Sequence, residues 1–131
     1  MPDIIVRDWL EAQLRPLLPK RYQYVSTQRT IDHIVKPLVM FKQERIGRQI
    51  IDGKTVPGGR IVGATMTIAV PYEDTGNAER ALDDDLITLL DAIDRIGNVR
   101  WMTAEKRIWT EAGQEPCYDI ALEIPYQHTK E

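Results

Sequence analysis

From Val62 to Val70 the chain alternates strictly, with Val62, Ala64, Met66, Ile68 and Val70 at even positions and Gly63, Thr65, Thr67 and Ala69 between them. Successive side chains of a strand point to opposite faces, so this segment carries one continuous apolar face. Pro71 has no amide hydrogen to give a ladder and closes the strand. After the polar turn YEDTG the apolar period changes from two to 3.6. Ala78, Ala81, Leu82, Leu86, Leu89, Leu90, Ile93 and Ile96 then lie on one stripe of a helix over Asn77–Ile96, with Gly97 as its C-terminal cap. A one-sided strand followed by a long one-sided helix restricts the chain to a sheet with helices packed on it.

The flanking segments extend that pattern. Asp3 is placed to cap a first helix whose Ile5, Trp9, Leu10, Leu14, Leu17 and Leu18 recur at spacings of three and four. Pro16 ends or kinks that helix near Arg15, and Pro19 completes the stop. YQYVS (22–26) reads as a strand, and residues 27–36 are polar and ambiguous. PLVMF (37–41) reads as a central strand buried on both faces that runs out through KQERIGR as an exposed arm. GRQIIDGKTVPGGR (47–60) holds four glycines and the turn dipeptides Asp52-Gly53 and Gly58-Gly59, the signature of a long loop or a protruding hairpin. A closing hairpin pairs a strand with Val99, Trp101, Ile108 and Trp109 against one with Tyr118, Ile120, Leu122, Ile124 and Tyr126, turning at TEAGQEP. Apolar parity fails at Thr103–Glu105, which predicts a bulge there. The expected fold is α+β: one mixed or antiparallel sheet of four to five strands, two main helices, and a long protruding loop or hairpin.

With 131 residues, 43% hydrophobic and 28% charged, the chain reads as a single domain over residues 1–131. A domain of this size buries roughly two thirds of its unfolded surface, enough for a core without disulfides or metal. Seventeen Lys and Arg against twenty Asp and Glu give no basic excess for binding nucleic acid by counterion release, so proteins are the expected partners. The first ten residues carry three charges and no apolar run is long enough to span a bilayer, so a soluble protein made without export is expected. The lone Cys117 fits a reducing compartment.

Candidate chemistry is sparse. His33 adjoins Asp32, but neighbours on a strand point to opposite faces, and His128 sits at the fraying end of the chain. Cys117 has no nearby cation in sequence to lower its pKa and reads as a buried structural thiol. Asp83, Asp84 and Asp85 fan over about 200° of helix and cannot converge on one ion, so with Asp91 and Asp94 they form a solvated acidic side. Pro57-Gly58-Gly59-Arg60 lacks the spacing of a phosphate loop and feeds a strand instead of a helix. Neither a catalytic residue, a metal site nor a cofactor is expected. Arg45, Arg48, Lys54 and Arg60, with the neighbouring Ile50 and Ile51, are the expected protein-interface residues. Their basic arm and the acidic helix would suit head-to-tail packing of identical subunits.

Five segments in order, PDIIVRDWLEAQL, IVGATMTIAVPYEDTG, ALDDDLITLLDAI, NVRWMTAEKRIW and YDIALEIPY, resemble the tail terminator proteins of long-tailed actinobacterial phages over about residues 3–126. Its most specific points are the strand–proline turn, the Leu82-Asp83-Asp84 helix, and Val99, Trp101 and Ala104 followed by Tyr118–Ile120. The resemblance implies a homo-oligomeric ring, commonly a hexamer, on the head-proximal end of the tail tube of the virion, assembled in the host cytoplasm. Such a ring stops polymerisation of the major tail tube protein and presents a surface to head-tail connector or neck proteins, with DNA passing through its lumen. It implies no enzyme activity and no cofactor. Two other readings stand beside it: a head-tail connector or neck completion protein, and a small ligand-binding α+β domain with its site beside the sheet under residues 47–60.

Overall fold

The computed structural model describes residues 6–25, 33–110 and 113–127. The expected cap Asp3, Ile5, Ser26, residues 27–32, two residues of the last turn and His128 lie outside them. Helix α1 (Val6–Leu14) passes into a single 3-10 turn at Arg15–Leu17, where Pro16 breaks the regular pattern. Strands β1 (Gln23–Tyr24), β2 (Leu38–Ile51) and β3 (Lys54–Ala69) precede helix α2 (Asn77–Asp94), and β4 (Arg100–Ile108) and β5 (Pro116–Gln127) close the chain. The fold is α+β, a five-stranded mixed sheet in the order β1-β2-β3-β5-β4 with two helices. Among the described residues the short β1–β2 pair is parallel and the β2–β3, β3–β5 and β4–β5 pairs are antiparallel.

Both helices cover one face of the sheet. The even residues Val62–Ile68 of β3 and Val70 just beyond it meet Leu82, Leu86, Leu89 and Ile93 of α2 and Leu10 and Leu14 of α1, together with Val39, Phe41, Ile120, Leu122 and Ile124. Every one of these side chains is buried, and each apart from Ala64 is worth about 1.5–3 kcal/mol against remaining exposed. The opposite face is apolar only at one end, where Val25, Ile34, Leu38, Ala69 and Cys117 cluster under Met40 and Trp109. This is why PLVMF is covered on both sides while KQERIGR, farther along the same strand, is not.

Three local expectations are refined. The bulge in β4 falls between Trp101 and Thr103, at Met102 and not at Thr103–Glu105. The aromatic parity misleads because Ala104, not an aromatic residue, resumes the helix-facing side against Ile120. Helix α2 stops two residues early, with Gly97 at φ 84° beyond it. Residues 47–60 form the far half of the long β2–β3 hairpin. Ile51 and Lys54 are register partners, and Asp52 (φ 52°) and Gly53 (φ 77°) make the left-handed two-residue turn that matches strand twist.

Candidate functional site

The β2–β3 hairpin extends past the helices, and its register decides which expected interface residues meet. Arg48 stands opposite Arg60, on the helix-bearing side of the sheet because Arg60 is two residues before buried Val62. Like charges placed directly across a ladder repel. Neither arginine is ion-paired to a described residue. Between Arg48–Arg60 and Ile50–Thr55 the ladder is interrupted: only Gln49 faces Val56, Pro57, Gly58 and Gly59. A side chain on Gly59 would stand 2.8 Å from the Gln49 Oε1 and from the Val56 Cβ, so this bulge requires glycine. Beyond it the tip presents Ile50 at 60% and Ile51 at 54% exposure beside Lys54, and Ile46 is 55% exposed nearer the base.

Arg45 does not join this group. The bulge at Glu44 turns it to the other face, opposite Gly63, across whose missing side chain it reaches Glu123 at 2.9 Å. Arg100 approaches the same carboxylate at 3.8 Å from the neighbouring strand. The helix-free face thus carries a paired row, Arg45–Glu123–Arg100, and beside it Thr67, whose hydroxyl donates to Asp119 at 2.7 Å while Arg107 also binds Asp119. Of the expected six residues, Arg48, Ile50, Ile51, Lys54 and Arg60 share the outer hairpin and Arg45 belongs to a separate network. Glu123, Gly63 and Arg100 were not legible as its partners, because a row across four strands has no local signature.

The acidic side of α2 is largely committed within the chain. Asp83 accepts from the Tyr118 hydroxyl at 2.7 Å and from the Lys106 Nζ at 3.0 Å, and Lys106 also reaches Glu79 at 2.8 Å. The hydrogen bond to Glu79 is the main reason the Lys106 ammonium is held above its ordinary pKa. Asp85 accepts from the Tyr22 hydroxyl at 2.8 Å and pairs with Arg21, and Asp94 accepts from the Trp101 indole at 3.0 Å. Burial first, then the hydrogen bond to Asp85, pushes the Tyr22 phenol well above its usual range. The acidic side expected from sequence is present, with Asp84, Asp91 and Asp94 exposed; Asp83 and Asp85 are half-buried, Asp83, Asp85 and Asp94 are also tied within the chain, and Asp84 and Asp91 have no ion pair among the described residues.

No protein-family model matches the chain, and no curated protein is significantly similar to it.

The remaining candidates take ordinary places. His33 is 74% exposed with its Nδ1 3.6 Å from Glu115. Cys117 is fully buried, and burial pushes its thiol up to about 11. Asp83, Asp84 and Asp85 point apart as the helix period requires, and among the described residues no group of three or more His, Cys, Asp or Glu could hold a metal ion. A groove along α1 is lined by Asp8, Glu11, Ala12, Arg15 and Pro16, with Glu11 tied to Arg15 at 3.2 Å. Among the described residues no helix is long and apolar enough to cross a membrane.

Proposed function

We propose that this protein is a structural assembly protein of the phage tail terminator kind: a homo-oligomeric ring, commonly a hexamer, that caps the head-proximal end of the tail tube and offers its other face to neck proteins. The observation that carries this reading is the outer hairpin. It combines exposed Ile46, Ile50 and Ile51 with an opposed Arg48–Arg60 pair that has no acidic partner among the described residues. Exposed neighbouring isoleucines cost solubility unless a partner covers them, and two facing arginines gain when a partner supplies carboxylates. Both features are explained by a protein surface docking there. The resemblance in segment order supplies the identity of that surface, the last ring of tube subunits. Termination then follows from geometry: the capping ring matches the tube edge on one side and lacks that edge on the other, so the next tube subunit has no template. No covalent step is needed, and DNA contact is limited to passage through the lumen.

The register offers a clean test. Arg48 and Arg60 are partners, so replacing residues 49–59 by a short Gly-Ser turn closes a shortened hairpin and touches the rest of the sheet only at the terminal Gly59–Gln127 pair of β3 and β5. The shortened protein is expected to fold as the full chain does and to lose tube capping and head joining. Normal joining by the shortened protein would refute the assignment of the hairpin.

A further inference from the structure

The sheet is open at both ends. Strand β1 pairs with β2 at Leu38 and Val39, so among the described residues no strand lies beside the outer side of β2 from Gln43 to Ile51. At the other end, among the described residues, the nine-residue β4 pairs with β5 alone. Among the described residues no backbone hydrogen bond from outside the ladders reaches either stretch. Unpaired edges are templates for another strand, and proteins that stay monomeric guard them with free charges. On β4 the cationic guards are spent, Arg100 drawn to Glu123, Lys106 to Glu79 and Asp83, and Arg107 to Asp119, which leaves Glu105 as the strand's one charge without an ion pair among the described residues. Of the eight large apolar side chains exposed among the described residues, five sit on these two strands: Ile46, Ile50, Ile51, Met102 and Ile108.

The charges without an ion pair among the described residues differ in net sign. On the hairpin Lys42, Arg48, Lys54 and Arg60 outnumber Glu44 and Asp52. At the β4 end Glu105 and, on the α2 helix packed over β4, Asp84, Asp91 and Asp94 outnumber Arg80, and Asp84 and Asp91 flank exposed Ile87 at i, i+3 and i+7. Strand direction fits as well. Three successive antiparallel pairings make β4 run opposite to β2, so copies set edge to edge in the same orientation bring β4 of one antiparallel to β2 of the next.

We infer that a second copy of this chain occupies these edges, β4 of one subunit hydrogen-bonding along β2 of the next so that the sheets join head to tail. Its closure into a ring rests on the tail-terminator reading; the edge pairing does not. The backbone shows where to break it. The Val25 amide donates to the Val39 carbonyl at 2.9 Å, so Val39 points away from β3, and alternation turns Gln43 the same way. The Trp109 amide donates to Glu115 at 2.9 Å, so Trp109 points toward β5 and Ile108 points outward. Gln43→Pro and Ile108→Pro therefore each remove an edge donor and no ladder bond, and edge prolines are tolerated in sheets.

Light scattering of the full chain over a concentration series, without tail tubes, reads the outcome. Self-association of the unmodified protein is expected, weakened about tenfold or more by either proline, about one hydrogen bond's worth with its neighbouring contacts. An equimolar mixture should form heterodimers that grow no further, because each pair then has one intact β2 edge and one intact β4 edge. A protein that remains monomeric throughout, or one proline that leaves association unchanged, overturns the proposal. Should a variant fail to fold, hydrogen exchange on the unmodified protein decides. The Gln43 and Ile108 amides must gain protection on association, and fast exchange of both in the oligomer overturns the pairing. Association through these edges by a protein that ignores tail tubes would leave this inference standing and defeat the tail-terminator reading.

Discussion

Replacing Ile50 and Ile51 together by serine should separate assembly from folding. Fully burying an isoleucine is worth about 1.5–3 kcal/mol. These two retain 60% and 54% of their surface in the single chain, so covering both on assembly is worth about 2–3 kcal/mol per subunit contact. That corresponds to roughly 30- to 150-fold in an association constant. Neither side chain belongs to a buried cluster, and surface changes of this kind shift folding by about 0.5 kcal/mol or less per site. Thermal unfolding of the double variant should therefore stay within a few degrees of the parent, while capping of tail tubes, titrated by co-sedimentation, requires a much higher concentration. Unchanged capping would refute the reasoning. So would a melting temperature lowered by more than about 10 °C, since the isoleucines would then be serving the fold instead of a partner.

Three further outcomes follow from the core and its polar ties. Leu89→Ala, at a fully buried position of α2, should cost about 2–5 kcal/mol in denaturant unfolding, and a loss below 1 kcal/mol would contradict the packing described. Tyr22→Phe should cost about 1–2 kcal/mol, and a double-mutant cycle with Asp85→Ala should return a coupling of similar size across the 2.8 Å hydrogen bond; a coupling near zero would dissolve the tie between α2 and the segment after α1. Cys117 has a folded pKa raised from 9.0 to about 11, so its contribution is complete below pH 9, where both states hold the proton. Between pH 9 and 11 the unfolded chain loses that proton first, and stability should fall by about 1.4 kcal/mol per unit. Cys117→Ala should flatten that part of the curve in urea titrations at stepped pH, and an equal slope in both proteins would remove the thiol as its cause.

The elements that bury one face were legible in sequence, and those that bury none were not. Alternation through Val62–Val70 and the stripe through Leu82–Ile93 are imposed by the core, and the structure places both against it. The outer half of β2, KQERIGRQII, has no covered face, so nothing obliges its residues to alternate, and only the glycines and turn dipeptides of 47–60 pointed to a loop or hairpin, of which Asp52-Gly53 makes the turn. Strand β1 has two residues, too few to show a period. The site was legible as a composition and not as a geometry. Which arginine faces Arg60, and that Arg45 leaves for Glu123, depends on the Glu44 and Gln49 irregularities, and a one-residue change of register moves a side chain to the other face. The ties of Asp83 and Asp85 to Tyr118 and Tyr22 join residues far apart in sequence, where no local pattern records them.

The most direct test of the central claim is electron-microscopic imaging of purified tail tubes mixed with the full-length protein. The account expects density for a protein ring at one end of each tube and none along the shaft, with elongation halted at the capped end. Bare tube ends, or protein bound along the shaft with growth continuing, would contradict it.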